Sequence, residues 1–249
     1  MITQNTVLIG VVTYNDSKYI ESVLLSLLNL PLPIPYKIFV VNDASTDNTM
    51  NILERYLQDH TTNNLIIEHN TSNSGIGYGI QKIITRGIED KYTYVVIMAG
   101  NGKDNPREIH KLLSSLQKHH ADYVQGSRFL KGGRYPNLPA TRFILIKIYS
   151  LVFSLLTHVR LTDATNGFRA YRLSIFKENH FDYKQTWLHR YEFETYLSYK
   201  VAQLGYNIIE VPVSKNYPSD KKEYSKIRPI IDWWNIVKPL VLLTLHIRR

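Results

Sequence analysis

The 249 residues include no cysteine, which excludes disulfides, thiolate metal sites and cysteine nucleophiles. The nine histidines show no zinc-type spacing, and His119-His120 reads as a helix end. Gly75, Gly77 and Gly79 are not followed by Lys-Ser/Thr, so they form no P-loop, and Ser127 lacks the context of a nucleophile elbow. There is no internal repeat and no low-complexity segment. The start, Met1-Ile2-Thr3-Gln4-Asn5, lacks the basic-then-apolar pattern of a secretory signal, so a cytoplasmic location is expected. An uninterrupted run of about twenty apolar residues would suggest a membrane span. The stretch from Thr141 to Val159 is broken by Lys147 and flanked by Arg142 and His158, which favours a core or interfacial helix.

What is present is positive charge, unevenly spread. The chain carries +9 overall, yet residues 1–100 hold six Lys/Arg against nine Asp/Glu. The second half is therefore strongly basic, and an anionic partner is expected there: nucleic acid, a phospholipid surface or a phosphorylated small molecule. No recognisable nucleic-acid module accompanies the charge, which argues against the first.

Apolar runs rich in β-branched residues recur about every thirty positions, at Val7–Val12, Lys37–Val41, Leu65–Glu68 and Tyr94–Met98, and Asp122–Ser127 reads as a fifth strand. Helical spacing fills the gaps, as in Ile20, Val23, Leu24, Leu27 and Leu28 before Pro31, with Asp16 and Ser17 as expected caps. Strands alternating with helices predict repeated βαβ units and a mainly parallel, Rossmann-like α/β sheet flanked by helices. A helix over about Arg190–Leu204 and a strand over Asn207–Val213 follow. The tail combines Trp233-Trp234, an apolar stretch over Leu240–Leu245 and Arg248-Arg249. This pattern suits an amphipathic membrane-surface extension over 231–249 beyond a domain of 1–230, or a terminal helix packed on that domain.

Parallel topology places the turns after the first, second and fourth strands on one sheet edge, where ligands of open α/β sheets bind. These turns are Thr13-Tyr14-Asn15-Asp16, Asn42-Asp43-Ala44-Ser45-Thr46-Asp47 and Ala99-Gly100-Asn101-Gly102-Lys103-Asp104. An aromatic ring, several carboxylates and helix N-termini suit a nucleotide, with Tyr14 stacking on a base and Asp43 accepting from base or ribose. Ordinary capping chemistry explains any single turn; their joint occurrence is what points to a site.

The same segments resemble family 2 nucleotide-sugar glycosyltransferases. Thr13-Tyr14-Asn15-Asp16 is similar to the family's Thr-Tyr-Asn-Glu, and Val41–Thr49 to its Val-Asp-Asp-Gly-Ser-Thr-Asp-Gly-Thr. Asn70–Gly79 is similar to Asn-x-Gly-x-Gly. Gly126-Ser127-Arg128, Thr165-Asn166-Gly167-Phe168-Arg169-Ala170-Tyr171 and Glu210-Val211-Pro212-Val213 resemble landmarks of the dolichol- and polyprenyl-phosphate sugar transferase branch. The resemblance covers about residues 6–230 and implies a GT-A fold and an inverting transferase. It implies a nucleotide-diphosphate sugar donor, Mg²⁺ or Mn²⁺, and a lipid phosphate or glycan acceptor met at the inner face of a membrane. On this reading Thr13, Tyr14, Asp16, Asp43, Gly75, Asn101 and Lys103 bind the donor, and Arg128, Arg142, Arg169, Lys221 and Lys226 hold phosphate or acceptor.

At the family's Asp-x-Asp strand end this chain has Ala99 and Asn101. Alanine cannot ligate a metal, and asparagine offers only a neutral oxygen. Three readings stay open: Asp104 takes over as the metal ligand, Lys103 replaces the metal's charge, or the domain binds a nucleotide sugar without turnover. A polyprenyl phosphate is already an anion, so positive charge matters more than a base. A hydroxyl acceptor would need a general base, for which Asp163, Glu192 and Glu194 are the candidates. Glu192 and Glu194 flank Phe193 on a predicted helix, so at most one faces the cleft. The residues expected to carry catalysis are Asp104, Asp163, Arg128 and Glu192.

Overall fold

The structure, a computed structural model, describes residues 5–59, 63–177, 182–219 and 231–248. Its strands are β1 (Val7–Thr13), β2 (Tyr36–Asn42), β3 (Leu65–His69), β4 (Tyr94–Ala99), β5 (Tyr123–Ser127), β6 (Arg169–Arg172) and β7 (Ile208–Pro212). They form one sheet in the order β3-β2-β1-β4-β6-β5-β7. Every pairing is parallel except the two made by β6, which runs antiparallel between β4 and β5. The mainly parallel sheet expected from the alternating pattern is therefore observed. The short β6 inside the Asn-Gly-Phe-Arg-Ala-Tyr segment was not expected.

Period-2 alternation explains the two cores. Every residue of β1 is buried, as a parallel strand covered on both faces requires. Leu8 and Val12 point to one face together with Val95 and Ile97 of β4. Val7, Ile9 and Val11 point to the other with Val96 and Met98. The first face is covered by α3 (Ile76–Glu89), α5 (Ala140–Thr157), α6 (Glu192–Gln203) and α7 (Ile231–Thr244). The second is covered by α1 (Ile20–Leu28), α2 (Thr49–Asp59) and α4 (Ile109–Lys118).

The caps expected at Asp16 and Ser17 are not used that way. Tyr19 occupies the N-cap of α1 without a side-chain bond. The Asp16 carboxylate turns back to accept from the Thr13 hydroxyl at 2.9 Å and the Tyr14 N–H at 3.2 Å. Pro106 does open a helical segment: Asn105 caps a short 3-10 turn that runs into α4.

The helix α5 is both core and surface. Ile146, Tyr149 and Phe153 are buried, whereas Ile144, Ile148, Leu151 and Leu155 are 54–66% exposed. Those four positions repeat at helical spacing and so share one outer face. Among the described residues, α5 is long and apolar enough by composition to cross a membrane. Leu240 and Leu243 of α7 are buried in the core, and the Thr195 hydroxyl of α6 donates to the Ile236 carbonyl at 2.9 Å. The C-terminal helix thus docks on α6, while Trp234, Val241, Leu245 and Ile247 stay exposed.

Candidate active site

The C-terminal ends of β1, β2, β4, β5 and β7 share one edge of the sheet, and the beginning of antiparallel β6 lies there too. A cleft of about 840 Å³ opens at this edge. Tyr14, Asp16, Asp43, Gly75, Asn101, Lys103, Asp104, Arg128, Arg142 and Arg169 all line it. Topology alone brings these ten sequence-predicted residues together.

Lacing between loops builds the floor. The turn after β1 is held to the turn after β2: Asn15 N–H donates to Ser45 Oγ at 2.9 Å, Thr46 N–H to Asn15 Oδ1 at 2.7 Å and Asp16 N–H to Thr49 Oγ1 at 2.9 Å. Asn15 adopts a left-handed backbone with φ 51°, a conformation asparagine tolerates better than most residues. Thr13 is buried within β1 and acts through its bond to Asp16 rather than from the cleft wall.

Asp43 anchors the next turn. Its Oδ1 accepts from Asn70 Nδ2 and Ser74 N–H, each at 2.9 Å, and Oδ2 accepts from Gly75 N–H at 2.8 Å. Gly75 has φ +99°, a region in which a side chain is strained. Asp43 therefore shapes the Asn70–Gly75 segment as well as facing the cleft.

The third turn departs from a metal site. Ala99 supplies no donor atom. Asn101 Oδ1 accepts from Lys103 N–H at 3.2 Å. Asp104 is buried, and its Oδ1 receives the Lys215 ammonium at 2.7 Å. Mg²⁺ and similar hard divalent ions take oxygen ligands, commonly one or two carboxylates together with substrate phosphates and waters. Among the described residues no three His, Cys, Asp or Glu side chains gather. The donor set at Asp104 does not fit a divalent ion, because the one nearby carboxylate is already neutralised by a lysine.

Asp163 and Arg128 are mutually engaged. Arg128 Nε and Nη2 reach the two carboxylate oxygens at 2.6 Å each, and Arg128 N–H reaches Oδ2 at 3.0 Å. Burial pushes the Asp163 carboxyl up, but the Arg128 charge and hydrogen bonds outweigh it and hold the group below the usual carboxylate range. Asp163 is thus an orienting partner for Arg128 rather than a base. Arg128 also bonds the Tyr217 hydroxyl and Thr165 Oγ1.

Arg169 was expected to hold phosphate, and its guanidinium is largely committed to the protein. It donates to the carbonyls of Asn166 at 2.7 Å and Glu194 at 2.8 Å, and to Ser198 Oγ at 2.9 Å. The two glutamates of α6 separate as the helix phase requires. Glu194 lines the cleft, whereas Glu192 lies 3.8 Å from Lys238 of α7 and does not. The expectation of Glu192 as a base is corrected accordingly. Lys221 and Lys226 lie outside the described residues.

Sequence reading missed Lys215, Tyr217, Tyr19 and Arg190, all on the cleft wall. For Lys215 and Tyr217 a signal existed, since they directly follow β7, whose C-terminal end lies on the ligand edge. The described lining carries seven Lys/Arg against four Asp/Glu, an excess of cations.

Known proteins share this fold and parts of this sequence. A family model described as glycosyl transferase family 2 matches residues 8–179. An undecaprenyl-phosphate mannosyltransferase of Micrococcus luteus is 32% identical over 204 residues, covering 81% of this chain and 80% of that protein. A polyprenol monophosphomannose synthase of Mycolicibacterium smegmatis is 28% identical over 220 residues, covering 85% of this chain and 77% of that protein. The Mycobacterium tuberculosis glucosyl-3-phosphoglycerate synthase, solved with Mn²⁺, UDP and glucosyl-3-phosphoglycerate, superposes with a TM-score of 0.68 at 14% identity. That match covers 98% of this chain and 81% of the other. S. aureus TarS 1-349 with UDP-GlcNAc gives 0.59 at 18% identity, covering 95% of this chain and 66% of that one.

Proposed function

Because the chain belongs to family 2 of the glycosyltransferases, we propose that it transfers a sugar from a nucleoside diphosphate sugar to a polyprenyl phosphate at the cytoplasmic face of a membrane. The GT-A fold and the enzyme class are shared with the relatives above. The observation that carries the acceptor class is the cation excess of the cleft. Two anionic groups, the donor diphosphate and the acceptor phosphate, must be brought together there, and fixed positive charge lowers that repulsion.

In this reading Tyr14 stacks on the base, and Asp43 holds the Asn70–Gly75 turn against the nucleoside. Arg142 faces the acceptor phosphate, a pairing guanidinium geometry favours, and Arg128, whose guanidinium is largely held by Asp163, Thr165 and Tyr217, adds positive charge beside it. An acceptor phosphate oxygen forms a bond to the anomeric carbon as that carbon's bond to the diphosphate oxygen breaks. The electron pair leaves on the nucleoside diphosphate, and attack from the opposite side inverts the centre. A phosphate anion needs no proton removed, which suits a site where Asp163 is buried behind the cleft and tied to Arg128. The donor set gives little support to the Mg²⁺ or Mn²⁺ that the resemblance implies, and no step here runs through a metal.

The exposed face of α5 supports membrane association. Arg142 lies in the first turn of α5 and lines the cleft, while Ile148, Leu151 and Leu155 point outward from the same helix. Seating that face in a lipid surface brings a lipid-linked phosphate to the cleft mouth. Ala99, which no ligand role fits, favours a second reading: a domain that binds a nucleotide sugar without turnover.

One experiment tests both. The protein is screened by thermal shift against UDP- and GDP-sugars, then incubated with each stabilising sugar and undecaprenyl phosphate in detergent. A donor-induced shift that Asp43→Ala removes, together with a new lipid-extractable sugar product, is the expected result. A shift without product supports the binding-only reading, and no shift with any nucleotide sugar overturns the proposal.

A further inference from the structure

We propose that Lys215, with Lys103 beside it, neutralises the donor diphosphate in place of a divalent cation. The inference deepens the transfer reading and rests on it. Its basis is the disagreement between the fold family's metal and the donors this chain presents.

In the turn after β4, the described residues that would serve a metal either lack a donor atom or have one oxygen already bonded. Ala99 has none, Asn101 Oδ1 is engaged by Lys103 N–H, and Asp104 Oδ1 is engaged by the Lys215 ammonium at 2.7 Å. A divalent ion beside Asp104 would sit against that ammonium, and the repulsion of two cations at contact distance opposes its entry. The turn nevertheless offers the diphosphate positive charge. Asp104, Lys103 and Lys215 together carry +1, with no carboxylate at positions 99 and 101 to offset it.

Lys215 is also positioned before any ligand arrives. Glu108 Oε2 accepts the Ser214 N–H at 2.6 Å and Glu108 Oε1 the Lys111 ammonium at 2.7 Å, fixing the chain just after β7 to α4. The Lys215 N–H donates to the Arg134 carbonyl at 2.9 Å, and the Asn216 N–H to the Lys103 carbonyl at 2.8 Å. The ammonium itself donates to Asp104 Oδ1 and, at 3.0 Å, to Asn166 Oδ1. An ammonium has three donors, so two orient the group, and the third suits a phosphate oxygen in the cleft it lines. A strongly hydrated, compact point charge on a short leash is well matched to a diphosphate.

The test is calorimetric titration of UDP and GDP into the full chain, once with EDTA and once with Mn²⁺. The better-bound nucleotide is expected to bind in EDTA within about threefold of its affinity in Mn²⁺, well short of the tenfold that marks a real energetic difference. Lys215→Met is expected to weaken binding about 10- to 100-fold, the equivalent of one charge-assisted hydrogen bond, with Lys103→Met weakening it less. The triple variant Ala99→Asp, Asn101→Asp, Lys215→Met is expected to bind only with Mn²⁺. Binding by the wild-type chain that requires Mn²⁺ overturns the lysine assignment and leaves the transfer reading standing. No binding of either nucleotide in either buffer overturns the transfer reading and this inference with it. If Lys215→Met does not fold, the wild-type comparison and Lys103→Met still decide.

Discussion

Asp163→Asn is expected to destabilise the fold by about 3–5 kcal/mol, the usual cost of leaving one member of a buried ion pair alone. Arg128 is 2% exposed and Asp163 0%, so water cannot take over the lost contacts. Both guanidinium bonds, at 2.6 Å each, lose their ionic character together. At an effective dielectric near 20, charges about 4 Å apart interact by roughly 4 kcal/mol, consistent with the range above. For a chain of this length the loss corresponds to a fall in melting temperature of about 6–20 °C, read by circular dichroism at neutral pH. The double variant Arg128→Met, Asp163→Leu removes both charges and fills the space, so it should cost much less than the single variants Arg128→Met and Asp163→Leu together. That difference appears as a coupling energy of about 2 kcal/mol or more in the double-mutant cycle. The pH dependence has a definite sign. Because the Asp163 carboxyl is held below its unfolded value, its contribution is complete above that value and disappears as pH falls through the folded one. Asp163→Asn should therefore flatten the acid limb of the stability curve. A single variant within about 1 kcal/mol of the wild type, below the usual cost of orphaning a buried charge, would refute the argument.

Two further outcomes follow from packing. A Cβ at Gly77 would meet the Leu188 carbonyl oxygen at 2.0 Å and the Arg190 carbonyl oxygen at 2.5 Å, so Gly77→Ala should cost about 1–3 kcal/mol or more, because backbone must move; chemical denaturation measures it. Leu151→Glu with Leu155→Glu changes positions 61% and 66% exposed, so stability should hold while co-sedimentation with anionic vesicles falls, and unchanged co-sedimentation would remove α5 as the docking face.

The sequence made the turns after β1, β2 and β4 legible because those strands are buried on both faces and read as unbroken apolar runs. β1, β2 and β4 could be placed from that signal, and parallel topology then sent their following turns to one edge. β6 lacked the signal. It is four residues long, Arg-Ala-Tyr-Arg, and its pairing with β4 and β5 joins segments about 75 and 45 positions apart. The choice between Glu192 and Glu194 depended on the rotation of α6 about its axis, which the α7 contact at Lys238 reveals. The fate of Asp16 was hidden for a related reason: a carboxylate beside a helix start can cap it or fold back onto its own turn, and here Thr13 and Tyr14 claim it. Lys215 escaped notice because its partner, Asp104, lies 111 positions away.

The antiparallel course of β6 has an architectural consequence. The chain leaves the sheet at the end of β5 and re-enters at the start of β6, on the same rim of the sheet, and the Arg128–Asp163 pair bolts the departing segment to the returning one. Between those feet, α5 lays Ile146, Tyr149 and Phe153 into the core and leaves Ile144, Ile148, Leu151 and Leu155 outside. The outward face of that helix can therefore change its side chains without disturbing the sheet, whereas its first turn, which brings Arg142 to the cleft, cannot.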